Sequence, residues 1–107
     1  GFGILSDIDV QATLKAKLGA DMPPYRILGA CNPSFAHQAL QIEDKLGVLL
    51  PCNVIVRETA DRRVEVASVD PVVSMDRTGN AALASTAEEV RRRLASVIEA
   101  VASQPAR

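Results

Sequence analysis

Aromatic residues are almost missing from this chain of 107 residues: there is no tryptophan, one tyrosine (Tyr25) and two phenylalanines (Phe2 and Phe35). The core must therefore be aliphatic, built from Val, Leu, Ile and Ala. Long apolar runs are missing too. None approaches the ~18 residues a membrane-spanning helix needs, so no membrane association is expected. A basic excess is also lacking, since 12 Lys and Arg stand against 13 Asp and Glu for a net charge of -1. Nothing is left over to neutralise a phosphate backbone, and nucleic acid is not an expected partner. Two cysteines cannot make a disulfide framework, which points to a reducing cytoplasm. The opening Gly1-Phe2-Gly3-Ile4-Leu5 has neither the basic start nor the long apolar stretch of a signal peptide. His37 is the one histidine, and no GxSxG, HExxH or GxGxxG pattern occurs. General acid–base chemistry would fall to a carboxylate or to His37 itself, and the leaning is away from an enzyme.

The composition, 48% apolar and 23% charged, is that of a globular chain, and the length suits one domain, set at residues 1–102 with a frayed tail over 103–107. Residues 2–6 read as a strand. Asp9 can N-cap a helix over 10–18, in which Val10, Leu14 and Leu18 share a face, and Gly19 can close it. A strand is expected over 25–30. Asn32-Pro33 is a helix start, with Asn at the cap and Pro in the first turn, and the helix to about 43 would bury Phe35, Ala36, Ala39 and Leu40. Residues 53–58 and 64–69 suit a hairpin across a polar turn, and Pro71 to Met75 suits one helical turn. Leu83, Ala87, Val90, Leu94, Val97 and Val101 form one seam of a helix over 81–102, with Glu88–Arg92 and Glu89–Arg93 pairs on the wet side. Asp7, Asp9 and Asp70 read as cap and turn residues. The β-α-β-α-β-β-α order predicts an α+β two-layer sandwich, a largely antiparallel sheet packed by helices.

Two tripeptides echo each other, Cys31-Asn32-Pro33 and Pro51-Cys52-Asn53. Each sets a Cys beside an Asn at an element junction. Cys31 would lie just before a helix N-terminus, whose partial positive charge favours a thiolate. If the two strands are neighbours, both sulfurs fall at one end of the sheet, and His37 lies about one turn into the same helix. Cys31, Cys52, Asn32, Asn53 and His37 are thus the candidate thiol or ligand site. The competing reading is packing, because a free Cys behaves as a small buried hydrophobe. Two Cys and one His are too sparse for structural zinc, so no metal is expected.

The segments Gly1 to Val10, Tyr25 to Pro33 and Leu49 to Val54 carry a family resemblance. With Gly29-Ala30-Cys31-Asn32-Pro33 and Leu50-Pro51-Cys52-Asn53 in order, the chain resembles the bacterial and archaeal domain-of-unknown-function family 302 over about residues 1–101. The resemblance implies a TATA-binding-protein-like α+β fold and a homodimer, and it brings no established activity or cofactor. The fold name itself implies nothing about DNA. Family members carry a further strand and helix ahead of the Gly-Phe-Gly segment. Here the sequence starts at that segment, so either the N-terminus is trimmed or the sheet lacks an edge strand, and the second case would leave Ile4 and Leu5, or their neighbour, with unpaired backbone groups.

Two function classes follow. One is a homodimeric ligand-binding or assembly module, with a groove between sheet and helices for a small or apolar ligand and a helix seam for a second copy. The other is a thiol-based redox, metal or sulfur-handling protein using Cys31 and Cys52. A concave apolar pocket left unfilled by side chains would favour the first.

Overall fold

The computed structural model describes residues 1–103. Of the tail expected over 103–107, Ser103 caps the last helix and the remainder lies outside the described residues. Strand β1 (Gly3–Asp9) leads into helix α1 (Val10–Leu18), strand β2 (Tyr25–Cys31) and helix α2 (Pro33–Ile42). A short 3-10 turn over Leu46–Leu49 precedes strand β3 (Cys52–Glu58), which hairpins into strand β4 (Val64–Ser68). Helix α3 (Pro71–Asp76) and a second 3-10 turn (Ala81–Leu83) then lead into helix α4 (Ala84–Ala102). The four strands pair antiparallel in chain order, β1-β2-β3-β4, with helices packed on them, as the two-layer α+β reading requires.

Strand β1 runs three residues further than the expected 2–6. The extra residues are held by charge, because Arg26 on β2 reaches Asp7 at 3.1 Å and Asp9 at 3.4 Å across the pair. Asp7 is thus a cross-strand partner rather than a cap. Asp9 does cap α1, accepting from the Ala12 N–H at 2.9 Å, and Gly19 ends that helix in the left-handed region at φ 66. Only glycine takes that conformation at little cost. Between Ile4 and Ser6 the register shifts by one, so Leu5 is a bulged residue without a partner on β2.

Alternation along the strands sorts the sheet into two faces. Leu28 and Ala30 of β2, Cys52, Val54 and Val56 of β3, and Val64 and Val66 of β4 share one. Phe2 and Phe35 pack with Cys52, Val90 and Leu94 over its upper end. A second cluster, Ala39, Leu46, Met75, Leu83 and Ala87, ties α2, α3, α4 and the two 3-10 turns together. The opposite face carries Ile27, Gly29 and Asn53.

One packing expectation, that of α2, is corrected, and the apolar faces of α1 and α4 prove only partly covered. No residue of α1 is buried, and Leu18 is 75% exposed, because this nine-residue helix lies at the outside of the sheet rather than under another layer. On α2 only Ala39 is fully buried, while Phe35 and Ala36 are half-buried and Leu40 is exposed. The α4 seam is buried at Ala87, Val90 and Leu94, but it leaves the core at Val97 and Val101, which are 43% and 46% exposed. On its wet side Arg93 pairs with Glu89 at 2.9 Å as expected, whereas Glu88 pairs with Arg91 rather than Arg92. Arg92 turns to Glu89 instead.

Candidate functional site

Two concavities flank the helix-covered face of the sheet. The first sits at its upper end, where β2 stops and α2 starts. Asn32 caps α2 by accepting from the Phe35 N–H at 3.4 Å, and Pro33 fills the first helical position, where its missing donor costs nothing. Ala30 stands opposite Cys52 in the β2–β3 ladder, so Cys31 is one register position further on. Cys31, Asn32, Phe35, Cys52, Met75 and Val90 all line the small cavity there. Its volume is about 20 Å³, enough for a single water. The Leu50–Pro51 peptide that leads into it is cis.

Three of the five expected site residues thus converge on one cavity: Cys31, Asn32 and Cys52. The other two do not. His37 is exposed on α2, where its Nε2 lies 3.5 Å from Gln41 Nε2, one turn away. Asn53 alternates to the other face of the sheet and is exposed, and its backbone carbonyl accepts from the Val69 N–H at 3.0 Å. Both cysteines are free thiols, Cys52 buried and Cys31 half-buried. Burial pushes the Cys52 thiol above its ordinary 9.0, and the neighbouring Cys31 charge pushes it the same way. Among the described residues, no group of three or more His, Cys, Asp or Glu is arranged to hold a metal ion.

The second concavity is larger and was not located from the sequence. It is a groove of about 520 Å³ between the last turns of α4 and the helix-side face of the sheet. Leu28, Val54, Val56 and Val66 form its floor, and Val97, Ile98 and Val101 form its wall. Its volume falls in the range of roughly 300–1,000 Å³ typical of small-molecule sites. The signal for it was present in the composition. Short aliphatic side chains alternate on three neighbouring strands, the α4 seam continues past the residues the core uses, and the chain has few aromatic rings to fill the gap.

At the lower end of the sheet the groove meets a polar cleft of about 270 Å³, since Val56 and Val64 line both. Asp9, Arg26 and Glu58 also line that cleft.

The family described as a domain of unknown function, DUF302, matches residues 1–101. The crystal structure of an uncharacterized conserved DUF302 protein from Bacillus stearothermophilus is similar over 92% of this chain and 77% of its own, with a TM-score of 0.84 at 29% identity. No curated protein matches the chain.

Proposed function

The chain belongs to the DUF302 family, and from that premise we propose a binding module that holds a small apolar ligand in its sheet–helix groove and works as a homodimer rather than as an enzyme. One observation carries the reading: about 520 Å³ of apolar-lined space is left unfilled by the side chains of the described residues. Empty apolar surface is costly in water, and a ligand that covers it gains about 25 cal/mol per Å² of apolar area removed from solvent. The half-exposed Val97 and Val101 stand on the open side of the groove, where a second copy would cover them. Two cysteines held as free thiols suit a reducing cytoplasm.

The test uses the neutral fluorescent probe N-phenylnaphthylamine. Saturable binding with a blue-shifted emission is expected, together with a dimer in sedimentation at tens-of-micromolar concentration. Val97→Trp, which puts a bulky ring into the groove, should abolish the fluorescence gain while leaving the circular dichroism unchanged. No saturable binding, or binding indifferent to Val97→Trp, defeats the groove reading. A strict monomer defeats the dimer.

The meeting of Cys31 and Cys52 at one cavity favours a second reading, a thiol-based redox, metal or sulfur-handling role. The raised thiol of Cys52 works against it, because the thiolate is the reacting form. Alkylation of the native protein decides. Rapid labelling of Cys31 ahead of Cys52 supports a working thiol, and inert cysteines leave only packing.

A further inference from the structure

We infer that the ligand of the groove is an amphiphile with a cationic head group, a lipophilic amine whose tail lies along the groove and whose ammonium sits at Glu58. The inference rests on the groove reading above and adds the chemistry of the ligand's polar end. Continuity comes first. Val56 and Val64 line both the apolar groove and the polar cleft, so the two adjoin at the lower end of the sheet. Glu58 stands opposite Val64 in the β3–β4 ladder and alternates to the same face as Val54 and Val56. It is the next residue on that face of β3 beyond Val56, whose partner on β2 is Arg26.

The charge at that end decides the sign of the head group. Three carboxylates, Asp7, Asp9 and Glu58, share this end of the sheet with one guanidinium, Arg26. That guanidinium is already engaged by Asp7 at 3.1 Å and Asp9 at 3.4 Å. The other arginine of the cleft, Arg57, pairs with Glu65 at 2.8 Å and alternates to the opposite face. In the β3–β4 turn Arg63 pairs with Asp61, and Arg62 does not line the cleft. Glu58 makes no ion pair among the described residues. An anionic head would have to take Arg26 from two carboxylates and would lie against Glu58. An ammonium head takes Glu58 and displaces nothing.

Calorimetric titration of the full chain with decylamine, decanol and decanoate tests this at neutral pH and low salt, below micelle-forming concentrations. All three share one tail and differ in head charge. The amine is expected to bind about three- to fivefold tighter than the alcohol, the range of an exposed ion pair, and the acid more weakly than either. Raised salt should shrink the amine's advantage, because it screens exposed charge. Glu58→Gln should erase that advantage while leaving decanol affinity as it was. Equal affinity for amine and alcohol, tightest binding of decanoate, or an amine preference that survives Glu58→Gln overturns the inference while the groove reading stands. If none of the three binds, the groove reading falls as well.

Discussion

Gly29 and Pro51 are in contact at a distance that only a missing side chain allows: a Cβ at position 29 would stand 2.6 Å from Pro51 Cγ and would overlap the Ser6 hydroxyl. The backbone of β2 is thereby pressed between β1 and the segment entering β3. Gly29→Ala is expected to lower stability by about 1–3 kcal/mol, the cost of forcing extra atoms into a packed site, because the proline ring cannot swing aside as a flexible chain would. Denaturant unfolding checks this, and a variant as stable as the parent would show that β2 has slack at that point.

Leucines on helical segments should respond to truncation according to what covers them. Leu83 is fully buried where the second 3-10 turn meets α4, so Leu83→Ala should cost about 2–5 kcal/mol. Leu18, at the end of α1, points into water, and Leu18→Ala should stay within about 0.5 kcal/mol of the parent. Equal effects at the two sites would contradict the core described above.

Asp9 holds two partners at once, the Ala12 N–H through Oδ1 and Arg26 through Oδ2. Removing the cap in Asp9→Ala should cost about 0.5–2 kcal/mol. Asp9→Asn keeps the capping oxygen and loses only an exposed ion pair, worth about 0–1 kcal/mol. Thermal melts of the two variants should therefore rank parent, Asn, Ala. An Asn variant as weak as Ala would transfer the role from the cap to the charge.

Stability should fall on the alkaline side because of Cys52. Its thiol is held above the ordinary 9.0 by burial first and by the Cys31 charge second. Below that ordinary value both the folded and the unfolded chain keep the proton, and the contribution is complete. Above it the unfolded chain ionises first and binds fewer protons than the folded one, so rising pH favours unfolding until the folded thiol titrates as well. Cys52→Ala should start from a lower stability and decline less steeply with alkaline pH. An unchanged slope would mean that other groups set the alkaline limit.

Local signals made most of the element order legible. Asp9 and Asn32 each cap the helix expected of them, and Gly19 closes α1 in the left-handed region. Asp70 caps α3 in the same way, accepting from the Val72 N–H. These features depend on a few neighbouring residues, which is why a single sequence displays them. What depends on distant partners was not legible. The extension of β1 to Asp9 needs Arg26, which lies across the sheet. The burial of Phe35, Ala36 and Leu40 on α2 was overestimated because an apolar stripe shows which side faces inward, not whether anything lies there. The meeting of Cys31, Asn32 and Cys52 at one cavity followed from two junctions on adjacent strands, whereas Asn53 was lost to the two-residue alternation of β3. A groove between sheet and helices was expected, but its position and lining were not legible, because a void is made by side chains that fail to meet.

The bulge at Leu5 gives β1 a tolerance to changes of length that the rest of the strand lacks. Ile4 faces Ala30 and Ser6 faces Gly29, so two steps along β1 are spent against one along β2. Deleting Leu5 would leave Gly3 and Ile4 on one side of the gap and Ser6 to Asp9 on the other, each facing the way it does now. Deleting Ile8 would instead invert one part of the strand relative to the other, carrying Asp7 away from Arg26 or taking Asp9 from the head of α1. A one-residue deletion is thus nearly silent at one point of β1 and disruptive three residues later, although both remove an exposed aliphatic side chain from the same edge strand.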